Sequence, residues 1–135
     1  MAYFDDLSPH TYLPHARDWG RTVLSVGWLD ASHEHRTGPT PEDFRSALLR
    51  QCTKEKYRVA QTRGFHRCNL PPCDKSEFWP PITVATAKGE IPLGSAEIRV
   101  EAKDGVVFAA PNLIYHYVIE HGYQPPDDFV EALCR

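Results

Sequence analysis

Apolar and polar positions change rhythm several times along the chain, and each change predicts an element. Residues 22–29 form a branched, bulky run, Thr-Val-Leu-Ser-Val-Gly-Trp-Leu, with the character of a strand, and Gly27 inside it marks a bulge or a close approach. The polar stretch 30–39 reads as a loop. Thr40-Pro41-Glu42-Asp43 then carries the marks of a helix start: a hydroxyl to cap free N–H groups, proline at the first helical position, and acids at the positive end. Phe44, Ala47, Leu48 and Gln51 or Cys52 follow at helical spacing, which predicts a helix from 41 to about 53 with its apolar stripe on a sheet. Residues 57–62 and 82–87 have strand character. Ala96, Ile98 and Val100 alternate with Glu97, Arg99 and Glu101, the period-two pattern of a strand with one wet face. Lys103-Asp104-Gly105 turns the chain into a partner strand at 106–110. Leu113, Ile114, Tyr117, Val118 and His121 share one side of a helix ending at Gly122, and Phe129, Val130 and Leu133 define a short terminal helix behind Pro125-Pro126.

These elements predict an α+β fold, an antiparallel sheet covered on one face by about three short helices. The length of 135 residues fits a single domain over 1–135. Residues 1–21 read as an N-terminal arm packed on it, because Tyr3, Phe4, Tyr12 and Trp19 gain nothing in a solvated tail. The 12 prolines keep the helices few and short. A net charge of -3, from 15 basic and 18 acidic side chains mixed along the chain, supplies no overall field for a nucleic acid or an anionic membrane. No segment has the length and apolarity of a membrane span, and the start lacks the basic-then-apolar order of a secretory signal, so a cytoplasmic location is expected. Cys52, Cys68, Cys73 and Cys134 are too few and too scattered for a disulfide framework, which leaves thiols or metal ligands.

The densest candidate chemistry is His66-Arg67-Cys68 followed by Cys73, one imidazole and two thiols within eight residues. Thiolate and imidazole are the donors zinc prefers, and the loop through Leu70-Pro71-Pro72 is stiff enough to hold them. A fourth ligand has to come from elsewhere. His116 is the first choice because it lies off the apolar stripe of its helix; His121, Cys52 and His33 or His35 remain open. A filled shell would be structural, and water in the fourth position would make the metal catalytic. Against this stands a plain alternative, in which the thiols are small buried hydrophobes and the histidines ordinary hydrogen-bonding groups.

Other groupings point less sharply. His33-Glu34-His35 lacks the spacing of the helical zinc-protease motif, and no second cysteine follows Pro72-Cys73 at the distance a nucleobase deaminase requires. Lys54, Lys56, Arg58, Arg63 and Arg67 beside Phe65 form a modest basic patch suited to a phosphate or an acidic partner. An acid-base pair of His116 with Glu97 or Glu120 has no nucleophile placed beside it. Nothing resembles a phosphate-binding glycine loop.

The segments Gly64-Phe65-His66-Arg67-Cys68, Glu97-Ile98-Arg99-Val100, Gly105-Val106-Val107, Tyr115-His116-Tyr117-Val118 and His121-Gly122-Tyr123-Gln124-Pro125-Pro126 resemble a family of small bacterial proteins built on a domain of unknown function. Thr11-Tyr12-Leu13-Pro14 and Gly27-Trp28-Leu29 extend the resemblance over most of the chain. It implies a stand-alone bacterial protein and supplies no activity or site residues; the relatives' cysteine pair is closer than Cys68 and Cys73 are here. The expectation is a small intracellular binding or interaction module with a structural zinc held by His66, Cys68, Cys73 and His116, and with a protein partner. The alternatives are a metal-assisted hydrolase or nucleic-acid-processing enzyme, and a metal-free adaptor or immunity-like protein.

Overall fold

The computed structural model describes residues 3–10, 18, 20–60, 67–75 and 81–134. Its elements run in the order β1 (Val23–Ser25), α1 (Glu42–Thr53), a 3-10 turn (Glu55–Tyr57), a second 3-10 turn (Cys73–Lys75), β2 (Thr83–Thr86), β3 (Gly89–Pro92), β4 (Glu97–Glu101), β5 (Val107–Pro111), α2 (Ile114–His121) and α3 (Asp127–Cys134). The class is α+β, as the alternating patterns predict.

The main sheet has the order β1-β5-β4. β4 and β5 pair antiparallel around the Lys103-Asp104-Gly105 turn, with Glu97 opposite Pro111 and Glu101 opposite Val107. β1 lies parallel to β5, with Val23 beside Val107 and Ser25 beside Ala109. Parallel neighbours need a long connection, and everything from α1 to β4 supplies it here. The outer edge of β1 is covered by the N-terminal segment: Leu7 N–H donates to the Ser25 carbonyl at 2.7 Å, Ser25 N–H to Ser8 at 2.8 Å and His10 N–H to Val23 at 2.9 Å. On the far edge, Val59 forms a single bridge to Glu97, each N–H reaching the other's carbonyl at 2.8 Å. The strand expected at 57–62 is reduced to that bridge, since Tyr57 belongs to a 3-10 turn and Ala60 adopts a positive φ of 50°; residues 61 and 62 lie outside the described residues. β2 and β3 form a separate hairpin, with Thr86 opposite Gly89. β3 has no counterpart in the sequence pattern, because Gly-Glu-Ile-Pro shows no alternation.

α1 buries Phe44, Ala47, Leu48 and Cys52, the stripe its spacing predicts. It packs chiefly on α3 and α2 rather than directly on the sheet. α3 makes the link to the strands: the Phe129 ring meets Phe44 of α1 edge-on at 6.1 Å and Phe108 of β5 at 5.8 Å. Pro41, not Thr40, occupies the N-cap, and no side chain caps the helix. Thr40 is engaged instead by Arg45, whose guanidinium donates to the Thr40 carbonyl and, at 3.3 Å, to its hydroxyl.

Gly27 makes a close approach, with φ at 78°, and a Cβ there would stand 2.6 Å from Ile114 Cδ1. The segment after β1 is thereby held against the start of α2.

β4 departs from the expected wet face. Glu97, Ile98, Arg99 and Val100 are all buried. The polar face is an ion network: Arg99 donates to Glu97 Oε1 at 2.7 Å and, through Nε at 2.9 Å and Nη2 at 3.2 Å, to both oxygens of Asp18, while Glu97 Oε2 has no hydrogen-bond partner among the described residues. His10 bridges Glu97 Oε1 at 3.1 Å and the Ser25 hydroxyl at 2.8 Å. Burial works against the Arg99 charge, but the hydrogen bonds to Asp18 and Glu97 outweigh it and raise its pKa. Alternation in sequence reports only that two faces differ; here the second face is covered by the N-terminal segment.

Candidate metal centre

Two pieces of backbone meet at this site. The first is the loop from Arg67 to Lys75. Asn69 fastens it to the chain after β1, donating through Nδ2 to Asp30 Oδ1 at 2.7 Å while its Oδ1 accepts the Ala31 N–H at 3.0 Å. Hydrogen bonds from the Ser32 hydroxyl and from Asn69 hold the Asp30 pKa down at about 2, so the anchor is a carboxylate at any ordinary pH. Asp74 N–H to Leu70 and Lys75 N–H to Pro72, both 3.2 Å, tighten the turn, and Leu70 is buried beneath it. Cys68 is consequently 1% exposed and Cys73 half-buried.

The second piece is α2. Its apolar residues Ile114, Tyr117 and Val118 are buried, and Gly122 ends it in the left-handed conformation that glycine adopts at low cost. His116 and His121 are five positions apart, about 140° around an ideal helix. They nevertheless meet at the helix end, their rings 5.0 Å apart and inclined at 71°.

Cys68, Cys73, His116 and His121 each offer a ligand atom, and these atoms all lie within 4.8 Å of one another. His121 Nε2 is 3.3 Å from Cys68 Sγ, 3.5 Å from Cys73 Sγ and 3.2 Å from His116 Nε2. Cys73 Sγ is 3.5 Å from His116 Nε2. One imidazole nitrogen has a single in-plane position for a proton or a lone pair, so it cannot satisfy three such neighbours by hydrogen bonding. The edges of a tetrahedron around a thiolate- and imidazole-bound zinc ion are about 3.6 Å from S to N and about 3.3 Å from N to N. The four contacts fall within a few tenths of an ångström of those edges. The group can hold a metal ion.

Burial pushes the Cys68 thiol up to about 12, with the nearby Cys73 adding to the shift. Burial also lowers His116 to about 4, reinforced by His121, and lowers His121 itself. Each of these three shifts favours the neutral form of its group. Among the described residues no carboxylate oxygen belongs to the four-donor group, although the Glu120 charge partly offsets the fall at His121. A divalent cation reverses the balance at Cys68, because it binds the thiolate and displaces the proton.

Three of the donors, Cys68, Cys73 and His116, were expected together from the sequence, with His121 among the open choices. His66 lies outside the described residues. The remaining candidates are placed elsewhere. Cys52 is buried in α1, and burial raises its thiol to about 12. The His33 ring stacks on Tyr3 at 3.7 Å, and His35 meets the Tyr123 ring edge at 6.1 Å. Glu97, the acid considered as a partner for His116, is taken up by His10 and Arg99. In the basic patch, Lys56 sits over the Tyr57 ring at 5.0 Å, while Arg63 and Phe65 lie outside the described residues. The signal that singles out His121 is its spacing: C-x4-C in the loop and H-x4-H on the helix both fall within the ranges common to Cys2His2 zinc sites.

A family profile described as a domain of unknown function, DUF7919, matches residues 2–134. The chain belongs to this family. No curated protein and no solved structure matches it significantly. Membership in DUF7919 therefore carries no chemistry of its own, and the functional argument rests on the four converging side chains. Among the described residues, no helix is long and apolar enough to cross a membrane.

Proposed function

We propose that Cys68, Cys73, His116 and His121 bind one zinc ion in a closed tetrahedral site, and that this ion is structural, locking the 67–75 loop to the end of α2 in a protein that works as a binding or interaction module. The observation that carries the reading is the crowding of His121 Nε2 by two sulfurs and a second Nε2 at 3.2–3.5 Å, which a shared cation explains and hydrogen bonding does not. Two soft thiolates and two imidazoles suit zinc better than the oxygen-loving cations. Four protein donors fill a tetrahedron and supply no position for water or substrate, which favours a structural role over metal-assisted hydrolysis. His66 is not needed to complete this set. Free thiols kept for a metal fit a reducing compartment such as the bacterial cytoplasm.

The test is the metal content of untagged protein by native mass spectrometry and elemental analysis. About one zinc per chain is expected, lost in Cys68→Ser and in His121→Ala and retained in Cys52→Ser. Metal-free protein that stays folded through chelation and dialysis would overturn the reading.

A further inference from the structure

A second site lies on the face built from the N-terminal segment, the turn between β4 and β5, and α3, and it shares no residue with the metal group. It is a cavity of about 360 Å³ whose apolar lining includes Leu7, Leu24, Val106, Phe108 and Ala132. That volume lies in the range of sites that bind ligands and is large enough for a pair of side chains. Asp104, Asp128 and Glu131 also line it, against a single cation, Lys103. Among the described residues, none of the three carboxylates takes part in an ion pair.

Leu7 is the unusual member. Its φ is 66°, in the left-handed region where a side chain with a Cβ is disfavoured, and it is 40% exposed. Neither the backbone nor burial accounts for a leucine at this position. The turn that presents it is firmly held: Asp6 accepts the Gly27 N–H at 3.0 Å and the Tyr123 hydroxyl at 2.8 Å, and Ser8 closes the turn onto the Asp5 carbonyl at 2.7 Å. An exposed leucine kept in a strained, anchored turn beside an apolar cavity is a feature whose cost binding would offset.

We propose that this groove docks a segment of a partner protein in which a lysine or arginine adjoins an aliphatic side chain. The aliphatic group packs on Leu7 and the cavity wall, and the cation meets Asp104, Asp128 and Glu131. Charge complementarity selects this occupant over a second copy of the chain, whose own net charge of -3 would face the same acidic rim.

Fluorescence anisotropy with a labelled hexapeptide of alternating leucine and lysine tests the proposal, with alternating leucine-glutamate and glycine-lysine peptides as controls. Saturable binding is expected for the leucine-lysine peptide alone. The double variant Asp128→Lys, Glu131→Lys should weaken it about tenfold or more. Leu7→Gly should weaken it several-fold while raising the melting temperature, since glycine suits the positive φ, so loss of binding cannot be loss of fold. Absence of saturable binding, equal binding of the glycine-lysine peptide, or binding indifferent to Leu7→Gly would overturn the proposal. So would a concentration-dependent dimer in sedimentation that Leu7→Gly abolishes, which would assign the groove to a second copy.

Discussion

Two clusters of titratable side chains, one around β4 and one at the end of α2, are drawn away from water and meet their neighbours in opposite ways. Around β4, the Arg99 guanidinium faces the Asp18 and Glu97 carboxylates at 2.7–3.2 Å, and His10 Nε2 lies 3.1 Å from Glu97 Oε1. At the end of α2, Cys68, Cys73, His116 and His121 face one another as closely, and the group contains only soft electron-pair donors. The first cluster carries its own counter-charges. The second has four donors turned inward on a common centre, with no cation among them. Buried polar groups need partners; the ion network draws them from its own side chains, and the proposed cation would supply a common one at the other site. Burial alone therefore does not distinguish a structural network from a ligand site; the signs of the groups do.

Substitutions at the two clusters should separate cleanly. Cys68→Ser or His121→Ala should abolish the proposed metal binding and lower the melting temperature by more than about 10 °C, because a structural metal's binding energy is also folding energy; thermal unfolding alongside metal analysis reads both effects. Arg99→Leu takes the guanidinium away from Glu97 and Asp18 and should cost about 3–5 kcal/mol in chemical denaturation, yet leave the metal content unchanged. Loss of metal from the Arg99 variant while it remains folded would show that the clusters are coupled and break the comparison.

The pH dependence of metal affinity sharpens it further. With the Cys68 thiol raised to about 12, metal binding at neutral pH must displace its proton, whereas His116, lowered to about 4, is already neutral and gives up none. Affinity should therefore rise with pH by about tenfold per unit for each thiol proton released. Competition with a chromophoric chelator between pH 6 and 8 measures that slope, and a flat profile would contradict thiolate ligation. The smallest effect is expected from Asn69→Ala, which frees the cysteine loop from Asp30 and Ala31 without touching a donor atom. It should cost about 1 kcal/mol of stability and weaken metal binding only modestly, as read in the same competition assay.

Legibility in the sequence followed the range of the interactions. α1 and the β4-β5 hairpin could be read locally, from a stripe at helical spacing and from alternation broken by Lys103-Asp104-Gly105. The parallel pairing of β1 with β5 joins residues more than eighty positions apart, and no local pattern encodes it. Burial of Glu97 and Arg99 was equally hidden, because their cover arrives from the N-terminal segment and Asp18. Thr40 had the chemistry of a cap, but Arg45 claims it. At the four-donor group, residue type singled out the cysteines, and a place off the apolar stripe singled out His116. Helical periodicity put His121 on the apolar stripe with Tyr117 and Val118, and that placement steered the choice to His116. The H-x4-H spacing at a helix end, matched to C-x4-C, was the better guide.

The central claim is a closed site with two sulfur and two nitrogen ligands, and X-ray absorption at the zinc edge of the purified protein addresses it most directly. The account predicts two sulfurs at about 2.3 Å and two imidazole nitrogens at about 2.0–2.1 Å. A shell containing an oxygen donor or fewer than two sulfurs, or protein that purifies folded and without zinc, would contradict it.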